Sequence, residues 1–467
     1  MSSPIPVVDT RQDKSLQIMK IKLSALLIIC FVGLLIYQGL SQFKAFSAAY
    51  LYGYPLMIMQ ETQKVMLAGA ATENQLTHNA NFPDHNFRNV VRPNVDTLYT
   101  IAWLNLSEQP QLLSVPDMGE RYYISPLMDA WTNVFASVGT RTTGNKAGDY
   151  AIVGPNWSGD LPDTLEVIRA PTNRVWMIQR IQTNGPGDVA AVAQLQLQFS
   201  LASLSQWQQG LSSEAYVGSI DKGHQTDNPY LTVDQMNADT FFSALAQALS
   251  QQAAPAADQE AINNLAAIGV TAGNYSPAAQ GWLGQLIADS ALNITRQQIK
   301  KQLGDKHSLE NGWAIYRQGM GNYGTDYKLR TGVAIIGLGA LPPEEALYPN
   351  TSVDSGGQPL NGQHSYVLRF EPGQAPPVDA FWSVTLYDEE GFLVDNPLKR
   401  YALGDRDALI FNDDGSLDIA LQQTAPTANS NNWLPTPKQG FAITLRLYSP
   451  KLAATDGSWP LPKVIKQ

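Results

Sequence analysis

From Ile21 to Leu40 the side chains are apolar apart from Lys22 at the start and Ser24, Tyr37 and Gln38. A run of that length predicts a helix that crosses a bilayer, for which ~20 residues are needed. A buried core helix would instead show a polar stripe. The period then becomes helical from Ala45 to Met66, through Tyr50, Leu51, Tyr54, Met57, Met59 and Met66, with a break expected near Gly53 and Pro55. Residues 72–97, rich in Asn, Asp, His and Pro, read as a long irregular segment. From about residue 98 to 185 the pattern is one of short strands. Leu98–Trp103, Tyr122–Ile124, Val134–Val138, Tyr150–Val153 and Val175–Ile178 are expected, bounded by Gly, Pro, Asn and Asp.

At Pro186 the composition shifts to Ala, Gln and Leu, and helices are expected to about residue 305. Phe241, Phe242, Leu245 and Leu249 recur at helical spacing behind Asp239 or Thr240, and Ser276 before Pro277 is a helix opening. Gly319, Gly321 and Gly324 raise a phosphate-cradling loop, but no buried strand precedes them and no Lys-Ser/Thr pair follows. They read as a close-packed connection. Strands return at Tyr366–Phe370 and Phe381–Tyr387. Phe441, Ile443, Leu445 and Leu447 alternate with Ala442, Thr444, Arg446 and Tyr448, as in a half-buried strand, and Asn412-Asp413-Asp414-Gly415 is a hairpin-type turn. The pattern gives a mainly β chain with a helical insert. Two antiparallel β-sandwich domains are expected, at 45–185 with a leading helix and at 345–467, joined by a helical connecting region at 186–344. They follow a cytoplasmic N-terminus (1–20) and a transmembrane anchor (21–40).

Charge adds an orientation. The chain of 467 residues has a formal charge of -10, which argues against a nucleic-acid partner. Residues 1–44 hold five basic side chains (Arg11, Lys14, Lys20, Lys22, Lys44) and two acidic ones (Asp9, Asp13), so the remainder carries -13. Lys14 and Lys20 precede the apolar run, Lys22 sits at its first turn and Lys44 follows it, which leaves the N-terminus inside and exports the body. A signal peptide cleaved after Ala45-Phe46-Ser47 competes with this reading. The long leading segment and the length of the run favour an uncleaved anchor. Cys30, the only cysteine, lies inside the anchor, so the body has neither disulfide nor thiol nucleophile.

Three clusters carry candidate chemistry. Arg92-Pro93-Asn94-Val95-Asp96-Thr97-Leu98-Tyr99 places Arg92, Asn94, Asp96 and Tyr99 around one fixed bend, with His85 and Arg88 upstream. Arg92 and Asp96 either pair to pin the loop or line a site, with Arg92 reaching outward. Asp129, Trp131 and Asn133, followed by Arg141, present a ring beside hydrogen-bonding groups. Asn396, Arg400, Tyr401, Asn432 and Trp433 read as loop-fixing residues. An Arg with amides and an aromatic ring suits a carboxylate or a sugar. The five histidines, His78, His85, His224, His307 and His364, have no paired-ligand spacing, so neither metal nor cofactor is expected.

RPNVDTLYTIAWLNL, GDVAAVAQLQLQ, MGNYGTDY, FWSVTLYD, NPLKRYALGD, DDGSLDI, NNWLPTP and LRLYSP, in this order, resemble a bacterial family that pairs two domains of unknown function, number 1254 N-terminal and number 1214 C-terminal. The resemblance implies two jelly-roll-type sandwiches joined by a helical region and a possible homo-oligomer, but no reaction. In a bacterium the anchor would lie in the inner membrane with the body in the periplasm. The leading expectation is binding of a carbohydrate or small carboxylate by Arg92, Asn94, Asp96, Tyr99, Asp129, Trp131, Asn133 and Arg141. The alternatives are a hydrolase or lyase with Asp96 as base and Tyr99 or Arg92 steadying negative charge, or a structural envelope oligomer.

Overall fold

The computed structural model describes residues 10–69, 71–88, 91–218, 228–303 and 309–467. One helix, Thr10–Leu67, runs for 58 residues with no break at Gly53 or Pro55. Pro55 has no N–H, so the carbonyl of Leu51, four residues back, loses its usual helical partner. The buried Thr331 hydroxyl donates to that carbonyl at 2.6 Å, and the helix continues. Its surroundings change along its length. Leu26 to Tyr37 present bare apolar side chains, such as Ile29 and Phe31, whereas most of those from Phe46 to Met59 are buried. The second stretch forms one core with Phe241, Phe242, Leu245, Leu265, Ala288 and Leu292 of the surrounding helices.

Those helices include Pro229–Gln235, Ala238–Gln251, Gln259–Ala267, Pro277–Leu303 and Tyr327–Ile336, while Val189–Gln196 packs on the N-terminal β core. Asn237, rather than Asp239 or Thr240, caps the Ala238 helix, accepting from the Thr240 N–H at 2.9 Å. The Gly319–Gly324 loop is closely packed as expected. A side chain at Gly321 would meet the Pro342 nitrogen at 2.7 Å, and its carbonyl accepts from Val134 N–H at 2.7 Å.

Each β region holds two sheets around one core. In the N-terminal region a six-stranded sheet runs, in order, Tyr216–Val217, Thr77–Asn79, Thr97–Asn105, Arg174–Gln182, Tyr123–Met128 and Val134–Gly139. A four-stranded sheet runs Glu166–Arg169, Gly148–Val153, Gln111–Val115 and Ser200–Ser203. Leu98, Leu104 and Met177 of the first meet Leu113, Ile152 and Leu201 of the second. The other face of the first sheet packs Trp103 and Trp176, stacked at 4.9 Å, on Met59 of the long helix. Three of these strands lie where the residue pattern suggested otherwise: Thr77–Asn79 in the segment read as irregular, and Ser200–Ser203 and Tyr216–Val217 in the stretch read as helical. They supply strands beside or at the edges of the sheets, which short local patterns do not announce.

In the C-terminal region Ala346–Leu347, Phe441–Pro450, Val378–Asp388 and Ala402–Gly404 form one sheet, with Asn350–Thr351 also on the Phe441 strand. Trp433–Pro435, Leu417–Gln422, Tyr366–Phe370 and Lys463–Lys466 form the other. Pairing is antiparallel except at three edge strands, Tyr216–Val217, Glu166–Arg169 and Trp433–Pro435, which pair in parallel. The Phe441–Pro450 strand is buried on both faces, not half-buried. Phe441, Ile443, Leu445 and Leu447 face the C-terminal core, and the alternate face meets the N-terminal region. The Asn412–Gly415 turn forms, closed by Asn412 N–H donating to Ser416 O at 2.8 Å, but it links a loop to the Leu417 strand rather than two strands.

The Thr331 contact yields a prediction. Thr331→Val leaves the buried Leu51 carbonyl without a partner and should lower stability by about 1–3 kcal/mol. In a Pro55→Ala background the same change should cost clearly less, because the restored N–H reaches Leu51. A chemical-denaturation double-mutant cycle reads the coupling, and additive losses would contradict it.

Candidate functional site

The Arg92–Tyr99 stretch lies at the seam between the two β regions. Arg92 takes φ +53, a left-handed conformation uncommon for a non-glycine residue. It is clamped there by Arg92 N–H donating to Gly391 O at 2.7 Å and by Arg446 Nη2 donating to Arg92 O at 2.9 Å. Asn94 then closes a local turn, its Oδ1 accepting from the N–H groups of Asp96 and Thr97 at 3.0 and 3.1 Å. Its Nδ2 donates to the phenol oxygens of Tyr99 at 2.7 Å and Tyr448 at 3.2 Å.

The expected Arg92–Asp96 pair does not form. Asp96, 2% exposed, accepts from Ser383 Oγ at 2.7 Å and from Arg406 Nη2. Arg406 also reaches the Asp96 and Thr183 carbonyls and lies 4.1 Å over the Phe381 ring. Nor does Arg92 point outward. Its guanidinium donates to Thr444 Oγ1 at 2.8 Å and sits over the Tyr387 ring. The upstream residues follow the same course, with Arg88 on Asp388 at 3.1 Å and His85 on the Tyr401 hydroxyl at 3.2 Å.

Behind this latch lies a group of donors. Arg180 stands opposite Tyr99 on the adjoining strand, with its guanidinium over the Tyr99 ring, and donates to the carbonyls of Ile178 and Gly339 at 3.1 and 2.9 Å. Arg446 donates to the Thr385 and Tyr387 hydroxyls at 2.7 and 2.6 Å. Arg180 is 7% exposed and Arg446 4%, and among the described residues no carboxylate lies within 4.0 Å of either guanidinium. Tyr99 and Tyr348 are half-buried at the margin, while Tyr448 and Tyr122 are buried. Burial pushes Tyr348 up to about 12 and holds Tyr122 and Tyr448 well above the ordinary phenol value. These phenols therefore stay protonated at neutral pH. Tyr99 and Tyr448 already accept from Asn94, which leaves their protons to donate, and the Tyr122 hydroxyl has no partner.

The other candidates are placed elsewhere. The buried Asp129 carboxylate accepts from the N–H groups of Trp131 and Asn133, both at 2.9 Å, and from the Asn133 amide at 3.0 Å. Trp131 is fully buried, 6.0 Å from the Tyr52 ring, so it presents no ring to a ligand. Arg141 pairs with Glu345 at 2.5 Å, and this pair, unlike the others, borders the donor group at Tyr122. Asn396, Arg400 and Asn432 bind neighbouring loop backbone, Trp433 Nε1 donates to Gln422 O, and Tyr401 receives His85. His224 and His307 lie outside the described residues. Arg180, Tyr348, Arg446, Tyr448 and Arg406 were not singled out from the sequence. Two of them had a signal: Arg180 in VWMIQRIQ and Arg446 in FAITLRLYSP are lone charges inside otherwise buried strands.

Comparison with known proteins places the chain in context. Residues 73–203 match the family described as protein of unknown function DUF1254, and residues 345–452 match DUF1214. Among curated proteins nothing matches. The crystal structure of the VPA0106 protein from Vibrio parahaemolyticus is similar at 24% identity and a TM-score of 0.69, over 91% of this chain and 100% of that one. An uncharacterized protein from Burkholderia cenocepacia aligns at 11% identity and a TM-score of 0.45, over 94% of this chain and 97% of that one. The first likeness bears on the fold.

The latch predicts unequal losses. Asp96→Asn breaks a buried ion pair and should cost about 3–5 kcal/mol, whereas Arg92→Gln gives up a neutral-acceptor bond and should cost about 1–3 kcal/mol. Melting temperatures of the two variants rank them, and equal losses would contradict the assignment.

Two titrating groups tilt stability in opposite senses. Burial lowers His78 to about 4 from 6.5, so the unfolded chain binds more protons in that window and stability falls as pH drops through it. Asp405 is raised by burial to about 6 from 3.8, so its contribution is lost as pH rises through that window. Urea midpoints between pH 4 and 6.5 should therefore tilt downward with rising pH in His78→Gln, and upward in Asp405→Asn, relative to the parent. Parallel profiles would count against both shifts.

Proposed function

This chain belongs to the family that joins DUF1254 to DUF1214, and we propose that it is a membrane-anchored binding protein whose two β domains hold a small carboxylate or sugar acid between them. The observation that carries the reading is the pair of buried guanidiniums, Arg180 and Arg446, set among protonated phenols with no carboxylate in ion-pair range among the described residues. The carboxylates nearby, Asp96 and Glu345, are each already paired with an arginine, so the groups left to bind are donors, and the complementary ligand is rich in acceptors and carries negative charge. Each region's paired sheets, sharing one core, are read as a sandwich of jelly-roll type. The bare apolar helix is read as an uncleaved inner-membrane anchor, with the body in the periplasm.

Proton abstraction by Asp96 draws no support from the geometry. Both its oxygens accept hydrogen bonds, one from Ser383 and one from a guanidinium, so neither is free to take up a substrate proton.

The test is a thermal-shift panel of mono- and dicarboxylates, uronic acids and neutral sugars on the full-length protein in detergent. An acidic ligand at 100-fold its Kd should add about 2.7 kcal/mol of stability. Tyr348→Phe removes one hydroxyl at a half-buried position, and should weaken that shift while leaving the unliganded melting temperature unchanged. Arg180→Gln should abolish the shift. A panel without any carboxylate response, or a response indifferent to both substitutions, would overturn the proposal.

A further inference from the structure

The helical region carries an apolar surface beside the anchor. Trp282 is 78% exposed, Leu283 49% and Leu286 57%, and they share one side at the start of the helix proper, just after Gly281 breaks the helical path with φ +63 and ψ 172. The opposite side of the same helix, with Ala288, Ala291 and Leu292, is buried in the core around the long N-terminal helix. Two contacts give the relative direction of the two helices. Gly39 lies against Ile287, whose Cδ1 is 3.8 Å from where a side chain at Gly39 would begin, and Arg296 Nε meets the Tyr50 hydroxyl at 3.4 Å. Later residues of one helix thus meet later residues of the other, so the helices run parallel. At a rise of ~1.5 Å per residue, Trp282 lies ~7 Å nearer the apolar span than Ile287 does. That brings it level with the last turns of the span.

We propose that Trp282, Leu283 and Leu286 form a second membrane contact, seated in the headgroup and upper acyl region of the same leaflet from which the anchor emerges. The proposal rests on the reading of residues 21–40 as a membrane span. Trp and Tyr collect at this depth because their rings are apolar and their N–H or O–H remains wet. An apolar patch continuous with a span is covered by lipid as soon as the span is inserted, with no further partner. The long helix is unbroken through Leu67. With one contact through the span and another through the patch, the body is fixed in tilt and rotation over the bilayer instead of swinging on a stalk.

The experiment uses the lone cysteine of the chain. A fluorophore on native Cys30 in proteoliposomes reports whether the span is in lipid. The same fluorophore placed in Cys30→Ser/Trp282→Cys reports the patch, and in Cys30→Ser/Leu452→Cys it reports an exposed position of the C-terminal region, Leu452 being 75% exposed. Quenching by spin labels carried near the lipid headgroup or deep in the acyl chain is then compared. The expected result is deep quenching at position 30, shallow quenching at 282 severalfold above that at 452, and little at 452. Quenching at 30 with 282 no higher than 452 would overturn the patch while leaving the anchor intact. A position 30 untouched by lipid quenchers would overturn the anchor and the patch with it.

Discussion

Asp96 is a carboxylate taken out of water at the seam of two β domains, and an unpaired charge there would be prohibitively unfavourable. Its partners, Ser383 and Arg406, both come from the C-terminal domain, so the loop that enters the first β domain is in effect completed by the second. Asn94 extends the arrangement. Its carbonyl turns the local chain and its amide ties Tyr99, of the N-terminal sheet, to Tyr448, of the C-terminal sheet. The Tyr387 hydroxyl on Pro93 O at 2.7 Å and Arg446 on Arg92 O close the bend from the other side. This bend has no complete set of partners within either β region alone, and its bonds tie the two regions together.

The consequence for the donors behind the latch follows from counting charges. Asp96 is close enough to act on Arg446 electrostatically, but its ion pair is with Arg406. Arg180 and Arg446 are satisfied as hydrogen-bond donors by carbonyls and hydroxyls, but their charge is not neutralised by any carboxylate in contact among the described residues. A guanidinium retained in that state is weak evidence of stabilisation and better evidence of an electrostatic task. The half-buried Tyr99 and Tyr348 mark the side from which an anion would approach.

The parts of this architecture that are local were legible from residue types. The apolar span, most strands between 98 and 182, and the packed glycine loop all announce themselves within a few residues. What the sequence concealed is non-local. Arg92 and Asp96 sit four positions apart and invite pairing, yet the Asp96 partner lies 310 residues away. Pro55 looks like a helix end because the Thr331 hydroxyl that rescues Leu51 comes from a distant helix. The strict alternation of Phe441 to Tyr448 was read as one wet face; Thr444, Arg446 and Tyr448 do form a polar face, but the other domain covers it. Trp131 next to Asp129 and Asn133 looked like a presented ring because the sequence does not tell a loop that displays its aromatic residue from one that buries it.

That covered polar face also explains why a binding site is sought at the seam and not within either domain. A strand that alternates Phe, Ile, Leu and Leu with Ala, Thr, Arg and Tyr has one face for its own core and one face whose groups require hydrogen-bond partners. Docking the N-terminal sheet over it takes Arg446 and Tyr448 out of water, and what is gained must come from direct bonds across the seam. Arg446 makes one of them, to Arg92 O, and turns its other donors to Thr385 and Tyr387 of its own sheet, whereas the phenol protons of Tyr99 and Tyr448 and the hydroxyl of Tyr122 have no acceptor among the described residues. An interface built only to hold two domains together would gain by replacing those hydroxyls with phenylalanine rings. They stand beside two guanidiniums that no carboxylate contacts among the described residues, and the proposed ligand would supply the acceptors they lack.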